Sequence, residues 1–357
     1  ESPYIKRNLF VYEAYNNGKY TIAEKQQMFP HLFNSLSVVI PVLSSTFASV
    51  GRFLKHAGNM SLGMLIIDES GQAVPQSALG AIYRTRRAVV VGDPLQVEPV
   101  VTIPKVLIDI LADSTCVANA YKVIENSVQT FSDNINEFNG MIGERQVGCP
   151  LVVHRRCIEP MFSISNLISY DNRMFNKTNK KEEYLKPENL FLIKKSGWIN
   201  VEGEENGGKD HFVKNQAERV CQLMEDAVHI YSDLFGTDDK IFIITPFRTV
   251  AESMRKFIIS YFSVKGYDKQ ILSKWTKNCV GTVHTFQGKD ANEVLLVLGC
   301  SNKSAGAMNW VVKKANILNV ACTRAKYRIA FIGNINDWKN RRYFREFIPS
   351  FIDIINV

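Results

Sequence analysis

The sequence predicts an α/β protein built on parallel sheets, and two observations predict it. Short apolar runs recur between turn signals at 38–42, 64–67, 88–91, 241–245, 279–284, 294–298 and 329–332. They are continuous rather than alternating, the pattern of parallel strands covered on both faces. Helical patterns lie between several of them, notably 212–231, 247–263 and 306–321, so strand and helix alternate as in α/β units.

Taken in order, the first ~35 residues are aromatic-rich with a helical pattern and carry no recognisable chemistry. The apolar runs then fall into two groups, roughly 36–112 and 186–335. With 357 residues at 46% hydrophobic, that organisation means two domains. The intervening 113–146 is polar and reads as helical. The Lys-, Asn- and Glu-rich 173–188 reads as an exposed loop, and 202–210, with three glycines, as an exposed turn. The stretch 338–355 reads as a helix packing on the second domain.

Composition narrows the function classes. There is no run of the ~18 apolar residues that a membrane-spanning helix needs. Seven cysteines are scattered with no C-x-x-C pair, which argues for a reducing cytoplasm and against a zinc site or disulfide framework. The chain starts at Glu1 without an initiator Met or signal peptide and reads as an excised piece. A net charge of +8 and a pI near 9.0 permit nucleic-acid binding without establishing it.

The stretch that carries chemistry is LIIDESGQA, 65–73. A buried strand runs directly into Asp68 and Glu69. Ligands of open α/β sheets bind at the carboxyl ends of strands. Two acids there can divide the labour: Asp68 holds Mg²⁺, and Glu69 orients and deprotonates a water for attack on a γ-phosphate. An isolated Asp-Glu pair is more often a solvated strand end. The next strand, AVVVGDPLQVEPV (88–100), changes the balance. Its Gly92-Asp93-Pro94 turn would bring Asp93 and Gln96 beside the acid pair, with Pro99 behind.

These two segments resemble motifs II and III of the superfamily 1 helicases, in the branch of the nonsense-mediated-decay RNA helicase and its bacterial DNA-helicase relatives. Four further segments follow in the family's order: VHRRCIEPMFSISNLISY (153–170), IFIITPFRTV (241–250), VGTVHTFQGKDANEVLLV (280–297) and ILNVACTRAKYRIAFIGN (317–334). Together they cover about 36–335. The resemblance implies two RecA-like parallel-sheet domains, residues 1–145 and 146–357, the first truncated at its N-terminus. It implies ATP and Mg²⁺ as cofactors, with hydrolysis at an inter-domain cleft. The partner it implies is a single-stranded nucleic acid, with DNA ranked ahead of RNA.

Residue by residue, the resemblance makes Arg324 the arginine finger, a planar and permanently charged fork suited to the charge of a transferring phosphoryl group. Arg155 or Arg156 supplies a second phosphate contact; the spacing from Asn166 favours Arg155, and the departure at Pro160 keeps Arg156 open. Gly288 lets backbone approach a phosphate. Asp290 stands where the family has a longer Glu against the nucleotide. Thr282, His284, Gln287, Pro99 and the Thr245-Pro246 pair fall on the nucleic-acid side. The hydroxyls of Ser44, Ser45 and Thr46, after the 38–42 run, would bond phosphates or cap a helix. A packed core histidine is the competing reading for His284, and a surface charge for Lys326.

The family's phosphate-cradling loop, G-x-x-x-x-G-K-[ST], occurs nowhere in the chain. GGKD at 207–210 lacks both the spacing and the Ser/Thr. The expectation is that the piece begins after that loop and by itself barely hydrolyses ATP, leaving an incomplete first sheet with an exposed edge. A non-catalytic nucleic-acid-binding module on a helicase scaffold is the alternative reading.

Overall fold

The computed structural model describes residues 3–124, 126–143, 145–178, 191–231, 233–286 and 288–355. It forms two compact units. One comprises residues 1–94 and 98–139, the other 95–97 and 140–357.

The first unit opens with two helices, Pro3–Asn16 and Ile22–Val39. The second starts on a capping box: the Thr21 hydroxyl accepts from Glu24 N at 3.3 Å, and the Glu24 carboxylate accepts from Thr21 N at 2.8 Å. Phe29 and Phe33, stacked at 3.9 Å, pack with Tyr15, Leu32, Leu54 and Ala57 in a small apolar cluster. The 38–42 run is not a strand. The helix continues through Val39, and 40–46 form neither helix nor strand. Ser35 and Ser37 return their hydroxyls to the His31 and Phe33 carbonyls inside the helix. An extended segment also needs a neighbour to satisfy its backbone, and among the described residues the sheet of this unit consists of β1 (Leu65–Ile67) and β2 (Ala88–Val90), paired in parallel. One face of that pair packs through Ile67 against Ala78 and Val128. Ile66 on the other face is 67% exposed. The expectation of strands covered on both faces therefore fails here, because among the described residues that face stays exposed at Ile66 and Val89.

The second unit holds most of the core. Its strands in chain order are β3 (Gly140–Ile142), β4 (Arg145–Val147), β5 (Val153–His154), β6 (Phe175–Asn176), β7 (Gly197–Asn200), β8 (Glu205–Gly207), β9 (Asp210–Val213), β10 (Ile241–Ile244), β11 (Val280–Gly281), β12 (Ala291–Val297), β13 (Ala325–Gly333) and β14 (Asp353–Ile354). Six of them form an all-parallel sheet in the order β11-β10-β12-β13-β7-β14. The continuous apolar runs are buried as the sequence pattern requires: every residue of β10 and all but one of β12 and β13 are buried. The helices Lys214–Ile230 and Arg248–Val264 match the sequence patterns.

Other expectations need correction. The 306–321 pattern is two helices, Ala305–Val311 and Asn316–Arg324. The 279–284 run is a strand only at Val280–Gly281; a 3-10 turn, Val283–Phe286, follows as Thr285 N closes onto Thr282 O. A Cβ on Gly281 would meet the Thr285 side chain, so the small residue permits that reversal. The 113–146 stretch holds one α-helix, Val128–Ile135, and ends in the β3–β4 hairpin rather than continuing helical. The 202–210 turn is the β8–β9 hairpin. Of the 173–188 loop, 179–188 lie outside the described residues. Among the described residues no helix is long and apolar enough to cross a membrane.

One feature of the sheet is unexpected from sequence. Glu293, on the central strand β12, is fully buried. Its carboxylate accepts from Leu192 N at 2.8 Å, Ile193 N at 2.6 Å and Tyr231 Oη at 2.6 Å, and Arg328 stands opposite it in β13. Burial pushes the Glu293 carboxyl up to about 7, against the hydrogen bonds and the Arg328 charge that pull it down. A carboxyl raised in the folded state contributes stability that is full below its unfolded value, near ~4.3, and that fades as pH rises through about 7. All four tryptophans lie in this unit, so their fluorescence reports its unfolding alone. Glu293→Gln is expected to flatten the decline in unfolding midpoint between pH 5 and pH 8. An unchanged pH profile in the variant would remove Glu293 as its source.

Candidate functional site

In the first unit, β1 delivers Asp68 and Glu69 to its carboxyl end with both side chains exposed. Glu69 takes the left-handed backbone conformation at φ 52°, unusual for a residue other than Gly, Asn or Asp. Asp68 Oδ1 accepts from Glu69 N at 2.9 Å, and Gln72 Nε2 donates to Glu69 Oε2 at 2.8 Å. The turn after β2 lies directly alongside: Ser70 N donates to Val91 O at 3.0 Å. A Cβ on Gly92 would sit 2.5 Å from Ser70 Oγ, and one on Gly71 would sit 2.9 Å from Asp93 O. Two glycines thus let the turns bearing Asp68, Glu69 and Asp93 close on each other, and the local chain juxtaposes those three as the sequence suggests. The acid pair offers exposed carboxylate oxygens, a donor set that fits a hard divalent cation such as Mg²⁺.

Ser44, Ser45 and Thr46 precede the helix Phe47–Phe53 and are exposed. Thr46 occupies the N-cap without a side-chain cap bond; its hydroxyl instead lies 3.2 Å from Ser49 Oγ. No strand leads into them, contrary to expectation, because the preceding run belongs to the helix. Pro99 is half-buried.

In the second unit the organising residue is Arg324, at the end of the helix Asn316–Arg324 and 1% exposed. Its Nη1 donates to Lys289 O at 3.1 Å and Phe286 O at 3.4 Å, which grips the turn that carries Gly288. Gly288 itself is exposed at φ +70°, with open space where a Cβ would stand. Arg324 Nη2 donates to Gln96 Oε1 at 3.1 Å. Gln96 belongs to this unit and not to the one that holds Asp93. Asp290 pairs with Lys326 at 2.7 Å, so Lys326 is more than a solvated surface charge.

Arg155 is exposed and Arg156 half-buried. Their segment runs beside the end of the Arg324 helix, with Ile158 N donating to Lys326 O at 3.3 Å. Cys157 follows Arg156 and is wholly buried, its amide donating to His154 Nε2 at 2.9 Å. Burial pushes the Cys157 thiol up to about 12 even though the charges of Arg156 and Arg324 both pull it down.

Thr245 and Pro246 are buried; Thr245 N donates to Gly281 O at 3.0 Å and its hydroxyl accepts from Phe247 N at 3.5 Å. Thr282 is half-buried, and His284 is exposed, which removes the packed core histidine as its reading. Gln287 lies outside the described residues.

Sequence reasoning missed Asn319. It is fully buried, accepts from Ser165 Oγ at 2.5 Å, and donates to Leu95 O at 3.0 Å and Tyr170 Oη at 3.1 Å. A polar Asn inside the apolar ILNVAC run was the available signal.

Two family models, both described as an AAA domain, match residues 137–336 and 11–103, the first spanning more than half the chain. The chain belongs to this family, as a superfamily 1 helicase of the Upf1-like branch. It is 22% identical over 328 residues to the probable helicase senataxin of Mus musculus, covering 89% of this chain and 11% of that protein. It is 23% identical over 299 residues to an uncharacterized ATP-dependent helicase of Methanocaldococcus jannaschii, covering 80% and 38%. It is 25% identical over 294 residues to the regulator of nonsense transcripts 1 homolog of Arabidopsis thaliana, covering 80% and 21%. The chain therefore spans between 11% and 38% of the length of these relatives.

Within this helicase chain, Asn319 ties the 95–97 segment to the Arg324 helix. Asn319→Leu keeps the branched heavy-atom skeleton and removes all three hydrogen bonds from a fully buried position. The expected cost is about 2–4 kcal/mol in the tryptophan-monitored urea transition. A loss below about 0.5 kcal/mol would show that the network contributes little.

Proposed function

We propose that this chain is motor machinery of an ATP-dependent nucleic-acid helicase or translocase. The observation that carries the reading is the exposed acid pair at the end of β1, held in a strained turn against the Asp93 turn, in a chain of this family. Asp68 holds the cation and Glu69 is the general base that orients and deprotonates the attacking water. Bound Mg²⁺ supplies charge that offsets the phosphate oxygens. Asp93, Gly288 and Asp290 contact nucleotide. Arg324 and one of Arg155 and Arg156 take the charge of the transferred phosphoryl group; the segment bearing both runs beside the end of the Arg324 helix, where Ile158 N donates to Lys326 O. Gln96 reports the state of the nucleotide to Arg324 through their hydrogen bond. The first RecA-like domain is read as 1–145 and the second as 146–357.

The polymer partner is a single-stranded nucleic acid held through its backbone, with exposed Ser45, Thr46 and His284 as its contacts, and Pro99, Thr245, Pro246, Thr282 and Gln287 shaping that side. Backbone contacts of this kind give salt-sensitive binding with little sequence preference. DNA is placed ahead of RNA. The relatives' names point both ways, one to nonsense transcripts and another, a DNA2 protein of Bos taurus, to DNA replication, so the assay carries both polymers.

In the intact protein, Glu69→Gln is expected to leave nucleotide affinity within a few-fold and to lower nucleic-acid-stimulated ATP turnover by at least about 10²-fold. Turnover should be measured with single-stranded DNA and with RNA. Undiminished turnover would exclude Glu69 as the base, and absence of turnover in the parent protein with both polymers would favour a non-catalytic binding module.

A further inference from the structure

Three side chains outside the motor residues converge beyond the carboxyl end of β12. Glu205 lies on β8, His211 on β9, and Cys300 in the turn that follows β12. One donor atom of each lies within 4.8 Å of the other two. Backbone geometry, not chance side-chain proximity, sets this up. The β8–β9 hairpin reverses at Gly207-Gly208, with φ +91° and +66°. Cys300 N donates to His211 O at 2.9 Å. A Cβ on Gly299 would sit 2.8 Å from that same oxygen, so glycine permits the close approach.

The three are withdrawn from water. The Glu205 side chain is 3% exposed and that of His211 16%, and Cys300 is 2% exposed. Burial pushes the Glu205 carboxyl up, but hydrogen bonds from Ser304, His211 and Ser301 outweigh it, and the net shift is down. His211 Nδ1 lies 2.8 Å and Ser301 Oγ 3.2 Å from that carboxylate. Burial and the adjacent Glu205 charge push the Cys300 thiol up to about 12, against a smaller opposing pull from Arg341. A Cys-His-Glu line could suggest a thiol nucleophile. The geometry argues against that reading, since the nucleophile is the thiolate and Cys300 is buried beside a carboxylate.

A divalent cation reverses this electrostatic logic. We propose that Glu205, His211 and Cys300 bind one borderline divalent cation of the Zn²⁺ class. On binding, the Cys300 S–H bond breaks, its proton leaves to solvent and the sulfur lone pair forms the bond to the metal; neutral His211 and the Glu205 carboxylate supply the other two donors. Two anionic donors balance the charge of the ion. A set of one sulfur, one nitrogen and one oxygen selects against Mg²⁺ and Ca²⁺. Tetrahedral bonds of about 2.0–2.3 Å place donors about 3.3–3.8 Å apart, so the observed spacing needs adjustments on the order of 1 Å. The Ser301 hydroxyl or a water completes the coordination. The ion staples the β8–β9 hairpin to the end of β12. His211 also packs on Phe247 at 4.7 Å, two residues beyond Thr245.

The test uses the full chain with the exposed Cys116 and Cys149 replaced by Ser, so that surface thiols do not compete. Co²⁺ alone is titrated and read by absorbance; Zn²⁺ alone is then read by thermal unfolding. The expected result is one equivalent of Co²⁺ with a thiolate-to-metal charge-transfer band, displaced by Zn²⁺. The band is abolished in Cys300→Ser, and affinity falls more than about 100-fold in His211→Asn, beyond the ~10–100-fold typical of losing an outer partner of a ligand. Zn²⁺ should raise the melting temperature of the parent but not of Cys300→Ser. If Cys300→Ser fails to fold, His211→Asn carries the same comparison. No charge-transfer band, or a band and thermal shift that persist in these variants, overturns the site.

Discussion

Burying a guanidinium is costly unless most of its donors find partners, and the second unit is arranged around that constraint at Arg324. Arg324 is 1% exposed. Leaving a charged fork unpaired in such a place costs several kcal/mol. Its hydrogen bonds go to the carbonyls of Phe286 and Lys289 and to the Gln96 amide. The turn after β11 and the 95–97 segment are therefore held where the helix Asn316–Arg324 ends. Asn319, one turn earlier, adds the Leu95 carbonyl and Ser165 hydroxyl to the same set. Asn319 and Ser165 are themselves buried, so a change at either leaves its partner without water to turn to. This is how a residue expected to meet a phosphoryl group can be ordered before any ligand is present.

Glu293 meets the same constraint differently. Its carboxylate sits in the middle of a parallel sheet, yet it accepts two backbone amides and a phenol. The amides are those of Leu192 and Ile193, just upstream of β7. The charge thus serves as an anchor that brings the chain back to the sheet. Burial still wins the contest over protonation, since three donors do not replace a full hydration shell. Arg324 and Glu293 differ in consequence. The arginine remains charged at any accessible pH, whereas the glutamate makes the stability of the sheet depend on pH.

The sheet strands of the second unit were legible because each is a continuous apolar run that proves to be buried, as in β10, β12 and β13. β7 was not, because Gly197–Asn200 presents only two large apolar residues and earns its place through Trp198, whose Nε1 donates to Gly333 O at 2.8 Å. The 38–42 run misled for the converse reason: apolar residues indicate burial or pairing, and in the first unit they find neither. At the site, Asp68, Glu69 and Asp93 were legible because adjacent strand ends are adjacent in parallel sheets. The separation of Gln96 from Asp93 was not, since three residues of sequence give no sign that the chain changes unit between them. The Glu205–His211–Cys300 cluster was invisible for a related reason. Metal-site spacing rules read local pairs of ligands, and the third donor here comes from a distant strand, which is why the cysteine count argued against zinc.

The first unit poses a mechanical question, because a two-stranded sheet exposed on one face is a weak support for a reactive turn. The answer lies in polar groups rather than in the sheet. Ser70 is fully buried; its hydroxyl lies 2.9 Å from Val91 O and 2.6 Å from Gln129 Oε1. Gln129 is buried too and donates to Asp133 Oδ1 at 2.8 Å. This chain of contacts binds the turn after β1 to the end of β2 and to the helix Val128–Ile135. Glu69 can then hold its left-handed conformation, which costs on the order of 1 kcal/mol, because Ser70 on its C-terminal side is fixed by that network and Gly71 and Gly92 let the two turns close on each other. The turn that carries the acid pair is therefore held by a serine and two glycines, and a larger side chain at Gly71 or Gly92 would force the two turns apart.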